Sequence, residues 1–183
     1  FERAGHLRCF CLPGGDKAAQ EPRRAAIGLL HALLGDGAFA NTNLASVAAF
    51  TPTELKGIRQ MLERRVNTPT TSSAGRLFDA VASLVGLRQK AGFEGQAALD
   101  LEFALEDAQT DAAYPIHICQ PTTLVSHAAP APGAGRPPPG TIRDPSDTSN
   151  APPPRFVLDW APMIQSILDD LRLGLSLAEK LEP

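Results

Sequence analysis

Two stretches of this 183-residue sequence combine residue types at spacings that suit chemistry. The first, Thr70-Thr-Ser-Ser-Ala-Gly-Arg-Leu-Phe-Asp-Ala-Val-Ala-Ser-Leu-Val-Gly-Leu87, carries Asp79 within a strongly helical pattern. The second, Phe93-Glu-Gly-Gln-Ala-Ala-Leu-Asp-Leu-Glu102, opens another helix at Gly95. A carboxylate accepts both hydroxyls of a ribose, and a glycine-led helix start lets a ligand approach backbone N–H groups closely. Side by side, the two would suit a nucleoside. The plainer alternative is a helix-surface ion pair between Arg76 and Asp79, worth about 0.2–0.5 kcal/mol, on an ordinary helix–turn–helix.

Other reactive residues point less far. His6, Cys9, Cys11, His117 and Cys119 lack the Cys-x(2–4)-Cys or His-x(3–5)-His doublets of structural zinc sites, so these thiols are expected as ordinary half-exposed or buried strand residues and no metal is assigned to them. His31 sits among leucines and reads as a core or border histidine. There is no Ser/His/Asp order, Walker loop or Gly-x-Gly-x-x-Gly, and no catalytic residue is assigned.

These residues need elements to hold them. Leu7 to Leu12 reads as a short strand closed by the turn Pro13-Gly-Gly-Asp16. A helix with Pro22 in its first turn should bury Ile27, Leu30, His31 and Leu34 and end at Gly35. A second helix starts at Thr51-Pro-Thr-Glu54 and buries Leu55, Ile58, Met61 and Leu62. After the four capping residues Thr70 to Ser73, the periodicity places Leu77, Phe78, Val81, Leu84 and Val85 on a buried face. Arg76, Asp79 and Ser83 fall on another, so Asp79 is expected on the less buried side. Further helices are expected over Gly95 to Glu106, with Ala98, Leu101 and Leu105 aligned, and around Met163 to Leu171; another begins at Leu175 and runs to Glu182. Tyr114 to Cys119 and Arg155 to Trp160 read as partner strands.

Composition sets the wider frame. The chain is 43% hydrophobic and only 5% aromatic, which favours helices over a sandwich or barrel. Its 17 basic residues are outnumbered by 20 acidic ones, so no nucleic-acid partner is expected. No apolar run is long enough to span a membrane. Three cysteines cannot close a disulfide framework, which favours a reducing, cytoplasmic setting. With Phe1 at its start and neither an initiator Met nor a signal peptide, the chain reads as a segment of something longer. Ten of its 17 prolines fall between Pro121 and Pro154, a stretch expected to form a flexible loop. The expected organisation is therefore 1–120, the Pro-rich loop 121–154, and 155–183, in a helix-rich α+β fold.

At this point the sequence resembles a known family. Ser72 to Leu87 and Phe93 to Glu102 are similar to signatures in the carboxy-terminal domain of HypF-type carbamoyltransferases, the [NiFe]-hydrogenase maturation proteins. So are His6-Leu-Arg8, Leu12-Pro-Gly-Gly-Asp16, Glu21-Pro-Arg-Arg24 and Val157-Leu-Asp-Trp160. The resemblance implies part of a tRNA-threonylcarbamoyladenosine-synthase-like domain, in the actin/sugar-kinase/Hsp70 superfamily, with one short β-hairpin. It implies an enzyme that makes carbamoyl-adenylate from carbamoyl phosphate and ATP, with a metal ion. That enzyme then carbamoylates the C-terminal cysteine of a HypE acceptor for the cyanide ligands of hydrogenase. It also implies that Asp79 binds the ribose and Gly95 touches the nucleoside, with Ser73 and Arg76 lining the site.

The sequence departs from the family pattern in places. Arg23 stands where the family string has Trp, and Cys9 and Cys11 replace prolines. The family's His-x(3)-His metal motif and Gly-Gly-x-x-x-Asn nucleotide loop are not among these residues, so the segment alone is expected to be inactive. Two rival readings are a non-catalytic remnant or helical interaction module, and an O-carbamoyltransferase of secondary metabolism.

Overall fold

A computed structural model of the chain describes residues 4–105, 112–120 and 155–174. The expected Pro-rich loop and the helix start at Leu175 lie outside the described residues. In chain order the elements are β1 (Gly5–Leu7), β2 (Phe10–Cys11), α1 (Lys17–Gln20), α2 (Pro22–Leu34), a 3-10 turn (Gly35–Ala40), α3 (Ala45–Ala48), α4 (Pro52–Arg64), β3 (Thr70–Thr71), α5 (Ala74–Leu84), α6 (Gln96–Ala104), β4 (His117–Cys119), β5 (Phe156–Asp159) and α7 (Ala161–Arg172). The fold is helix-rich α+β, as the composition predicts.

The expected pairing of β4 with β5 is present and antiparallel, with Ile118 opposite Leu158. It is wider than a hairpin. β1 adds to the other edge of β5 in parallel, giving a three-stranded sheet in the order β1-β5-β4. The single strand expected over Leu7 to Leu12 divides in two. β1 belongs to this sheet, whereas β2 pairs with β3 in a separate two-stranded ribbon. Arg8 marks the break: its side chain turns to Asp159 at 3.2 Å and stacks over Trp160, 5.1 Å from the ring centroid. Trp160 is fully buried, meets Phe10 edge-on at 5.9 Å, and donates its indole N–H to the Arg8 carbonyl.

At the centre lies α2, which is buried over Pro22 to Leu30 rather than along one stripe. Sequence periodicity predicts burial of Leu34, but it lies where the helix emerges and is only half-buried; His31, read as a core or border histidine, is half-buried at the border. His31 meets Phe39 edge-on at 6.2 Å. The N-terminal half is enclosed because α5 covers one side and β2 the other. A Cβ at Gly28 would sit 1.9 Å from the Cys11 carbonyl oxygen, so only glycine lets helix and strand approach this closely.

The same helix start holds a buried ionic cluster. Glu21 accepts from Arg24 Nε at 2.6 Å and from Arg23 Nη2 at 3.2 Å, and Arg24 also reaches the Pro13 carbonyl. Arg23 presents a planar group there. Its guanidinium lies 4.2 Å from the Phe50 ring centroid and also binds Glu54 and the Ala49 carbonyl. The sequence predicts a helix start at Thr51-Pro52, and there Glu54 closes a capping box with Thr51 at the start of α4. Tyr114 donates to Asp170 at 2.8 Å, joining the segment before β4 to α7; burial, then that carboxylate, push its hydroxyl up to about 12.

Candidate functional site

Local sequence sets the start of α5. Ser73 is its N-cap, extended in backbone and accepting from the Arg76 N–H at 3.4 Å. The Thr71 hydroxyl in turn accepts from the Ser73 N–H at 3.1 Å. These bonds account for Ser73 as a structural cap. The helix then packs along α2, and its C-terminal end is tied to the following loop: Ser83 Oγ donates to Gln89 Oε1 at 2.7 Å and Gln89 Nε2 donates back to the Ser83 carbonyl. Arg88 binds Asp100 on α6 at 2.5 Å, and Ala91 N–H reaches the Gln20 carbonyl at 2.8 Å. The loop from α5 to α6 is thereby held against both helices and the end of α1.

The buried face of α5 differs from the expected one. Asp79 is 5% exposed and Ser83 is fully buried, whereas Phe78, predicted for the core, is 51% exposed. Leu77, Ala80 and Leu84 do face inward. Packing on two neighbours is the cause. α5 packs on α2 and α6 together, so its buried arc is wider than its hydrophobic stripe and is rotated onto the polar residues.

Arg76 and Asp79 do pair, but not on the surface. Arg76 Nη1 lies 2.5 Å from Asp79 Oδ2 and also donates to the Ala19 carbonyl at 3.3 Å. Its Nη2 lies 3.4 Å from Glu94 Oε1, on the residue just before Gly95. Burial pushes the Asp79 carboxyl above its ordinary value, Arg76 pulls it back, and Glu94 adds a smaller upward push. The result is a carboxylate held deep in the fold and reached by one guanidinium nitrogen.

Gly95 is the N-cap of α6 at φ +84°, in the left-handed region. A Cβ there would meet nothing within 4 Å, so glycine is required by backbone conformation and not by crowding. Gly95→Ala should therefore cost about 1 kcal/mol, seen as a lower melting temperature. An unchanged melting curve would mean that α6 starts equally well without that conformation.

The structure thus brings Ser73, Arg76, Asp79 and Gly95 to one end of the α5–α6 pair. Glu94 and the Ala19 carbonyl complete the arrangement, and sequence reasoning missed both. A contact across 18 residues leaves no periodic trace, and a backbone carbonyl leaves none at all. An open cleft of about 500 Å³ lies elsewhere, at the opposite end of α5, lined by Asn41, Asn43, Leu84, Leu168 and Arg172 among others. It shares no residue with this cluster and has no charged acceptor for a ribose. Among the described residues no three His, Cys, Asp or Glu side chains converge as a metal site, and no helix is long and apolar enough to cross a membrane. Cys11 and Cys119 are free thiols.

Comparison with known proteins identifies the family. A family model described as the second subdomain of the Kae1-like domain of carbamoyltransferases matches residues 1–180. The chain is 43% identical over 105 residues to carbamoyltransferase HypF2 of Cupriavidus necator, covering 55% of this chain and 12% of that protein. It is 42% identical over 105 residues to a HypF homolog of the same organism, covering 57% and 26%. It is 35% identical over 129 residues to HypF of Synechocystis sp., covering 63% and 17%. The match therefore spans about a quarter or less of each relative's length. Among solved structures, full-length HypF in its phosphate- and nucleotide-bound form is similar at a TM-score of 0.67 and 27% identity, over 99% of this chain and 23% of that one. HypF of T. kodakarensis shares the fold at a TM-score of 0.63 and 22% identity, over 97% of this chain and 20% of that one.

Proposed function

The chain belongs to the HypF carbamoyltransferase family, as the second subdomain of its Kae1-like domain, and from that premise we propose that it forms one wall of an ATP site. Asp79 accepts the ribose hydroxyls, and Gly95 admits the nucleoside to the start of α6. Arg76 orients the Asp79 carboxylate, and Ser73 fixes the helix turn that carries them. The carrying observation is Asp79 itself, a buried carboxylate that Arg76 engages through a single nitrogen. A buried charge needs hydrogen-bonding partners, and two ribose hydroxyls supply donors of the right kind. The nucleotide-bound state of the similar full-length HypF supports this reading.

In the whole protein, carbamoyl phosphate and ATP would give carbamoyl-adenylate. Its carbamoyl group would pass to the C-terminal cysteine of a HypE-like acceptor, in the cytoplasm, on the route to the cyanide ligands of hydrogenase. The described residues of this chain hold no set suited to the metal ion such an enzyme uses, so no metal-dependent step is assigned to them.

Titration of the chain with adenosine and with 2′,3′-dideoxyadenosine tests the reading directly. The two ligands differ only in the hydroxyls that Asp79 would accept. Adenosine is expected to bind at least about tenfold more tightly, since each hydrogen bond to a charged acceptor is worth about 1.5–3 kcal/mol. Equal affinities would remove the ribose role. A second reading, a helical interaction module, is favoured by the apolar side chains that α6 leaves in solvent, Phe103 at 65% exposure above all. It becomes the better reading if neither nucleoside binds.

A further inference from the structure

We propose that Glu94 is a positioning residue: it holds the Arg76 guanidinium partly away from Asp79, so that the carboxylate keeps acceptor capacity for the ribose. The inference rests on the nucleoside reading above and concerns a residue that reading leaves without a role.

An arginine facing a carboxylate ordinarily presents two parallel N–H groups and takes both oxygens. Arg76 does not. Its Nη1 serves Asp79 Oδ2 at 2.5 Å and the Ala19 carbonyl at 3.3 Å, while its Nη2 lies 3.4 Å from Glu94 Oε1. The guanidinium is shared among α1, α5 and the loop entering α6. Arg76 is only 15% exposed, so the directions open to its fork are few, and Glu94 occupies one of them. Without Glu94, Nη2 loses its carboxylate partner and is free to turn to the second Asp79 oxygen, and a two-point fork would close the carboxylate to a neutral hydroxyl.

Glu94 itself is 91% exposed, so its removal should leave the fold standing. The sign of the effect separates this role from simple electrostatics. A negative charge near an anionic nucleotide repels it, and on that ground alone Glu94→Ala would tighten binding. The positioning role predicts the reverse.

Adenosine, being neutral, is the probe. Glu94→Ala should weaken adenosine binding to the full chain by about fivefold or more. Glu94→Gln keeps an acceptor oxygen at the same reach and should return affinity to within about twofold of the parent. In an Arg76→Lys background, where no fork exists, Glu94→Ala should change adenosine affinity little. A crystal structure of the ligand-free Glu94→Ala chain should show both Nη1 and Nη2 on Asp79. Unchanged or tighter adenosine binding by Glu94→Ala, or a guanidinium still held to Asp79 through Nη1 alone, would overturn the proposal. If the parent chain prefers adenosine over its dideoxy analogue and only the Glu94 results fail, the nucleoside reading stands and this role falls. If the parent shows no such preference, both fall together.

Discussion

Asp79→Asn should lower adenosine affinity by about ten- to a hundredfold, because hydrogen bonds to a charged acceptor are worth about 1.5–3 kcal/mol and each 1.4 kcal/mol is a factor of ten. Asparagine keeps the shape of the side chain but offers one neutral acceptor and an amide that donates where a hydroxyl also donates. The fold should survive. Arg76 keeps the Ala19 carbonyl and Glu94 as partners, and the substitution also removes a charge that burial disfavours. Calorimetric titration beside a thermal melt separates the two effects: affinity falls while the melting temperature moves little. Parent-like affinity in this variant would show that Asp79 does not hold the ribose. The direction of the Asp79 shift adds a pH signature. Its carboxyl is held above the ordinary aspartate value, so it takes up its proton on the way down from neutral pH sooner than an exposed aspartate would. The protonated acid is the poorer acceptor, and adenosine affinity should decline over that range.

Glu21→Ala is expected to act on stability instead, by about 3 kcal/mol, the cost of removing one partner from a buried ionic group. Glu21 is almost fully buried between Arg23 and Arg24, which are buried as well, and Lys17 lies 3.6 Å away at the rim. Without the glutamate, Arg24 retains the Pro13 carbonyl, and Arg23 retains Glu54 and the Ala49 carbonyl, but two guanidiniums then share the helix start without the charge that balances them. The melting temperature should fall by about 6–12 °C, given about 2–4 °C per kcal/mol at this chain length.

The pH dependence fixes the mechanism. Burial by itself would raise the Glu21 carboxyl, but the hydrogen bond from Arg24 and the charges of Arg24, Arg23 and Lys17 outweigh it and hold the group below its ordinary value. Its stabilising contribution is therefore complete above the unfolded glutamate pKa of about 4.3 and is lost as pH falls through the lower folded value. The gap between parent and variant should be constant near neutrality and should narrow only in acid. A gap that did not change with pH would mean that packing, not charge, carries the effect.

Sequence alone determined the features that depend on neighbours a few residues apart. The helix start at Thr51-Pro52, the Ser73 cap and Gly95 at the start of α6 are all local, and each is present where the pattern placed it. The family was legible for the same reason: Ser72 to Leu87 and Phe93 to Glu102 are continuous strings. Tertiary structure decided what faces where. Periodicity sent Phe78 to the core and Asp79 outward, and the fold reverses both, because α2 and α6 flank α5 and enclose more than its apolar stripe. The division of Leu7 to Leu12 between two sheets follows from Arg8 and Asp159, which stand 151 residues apart. The sharing of Arg76 among Ala19, Asp79 and Glu94 likewise joins three segments. A hydrophobic pattern records that a residue is buried somewhere, whereas the partner that buries or pairs it is set by distant chain brought alongside, and a single sequence carries no local sign of that contact.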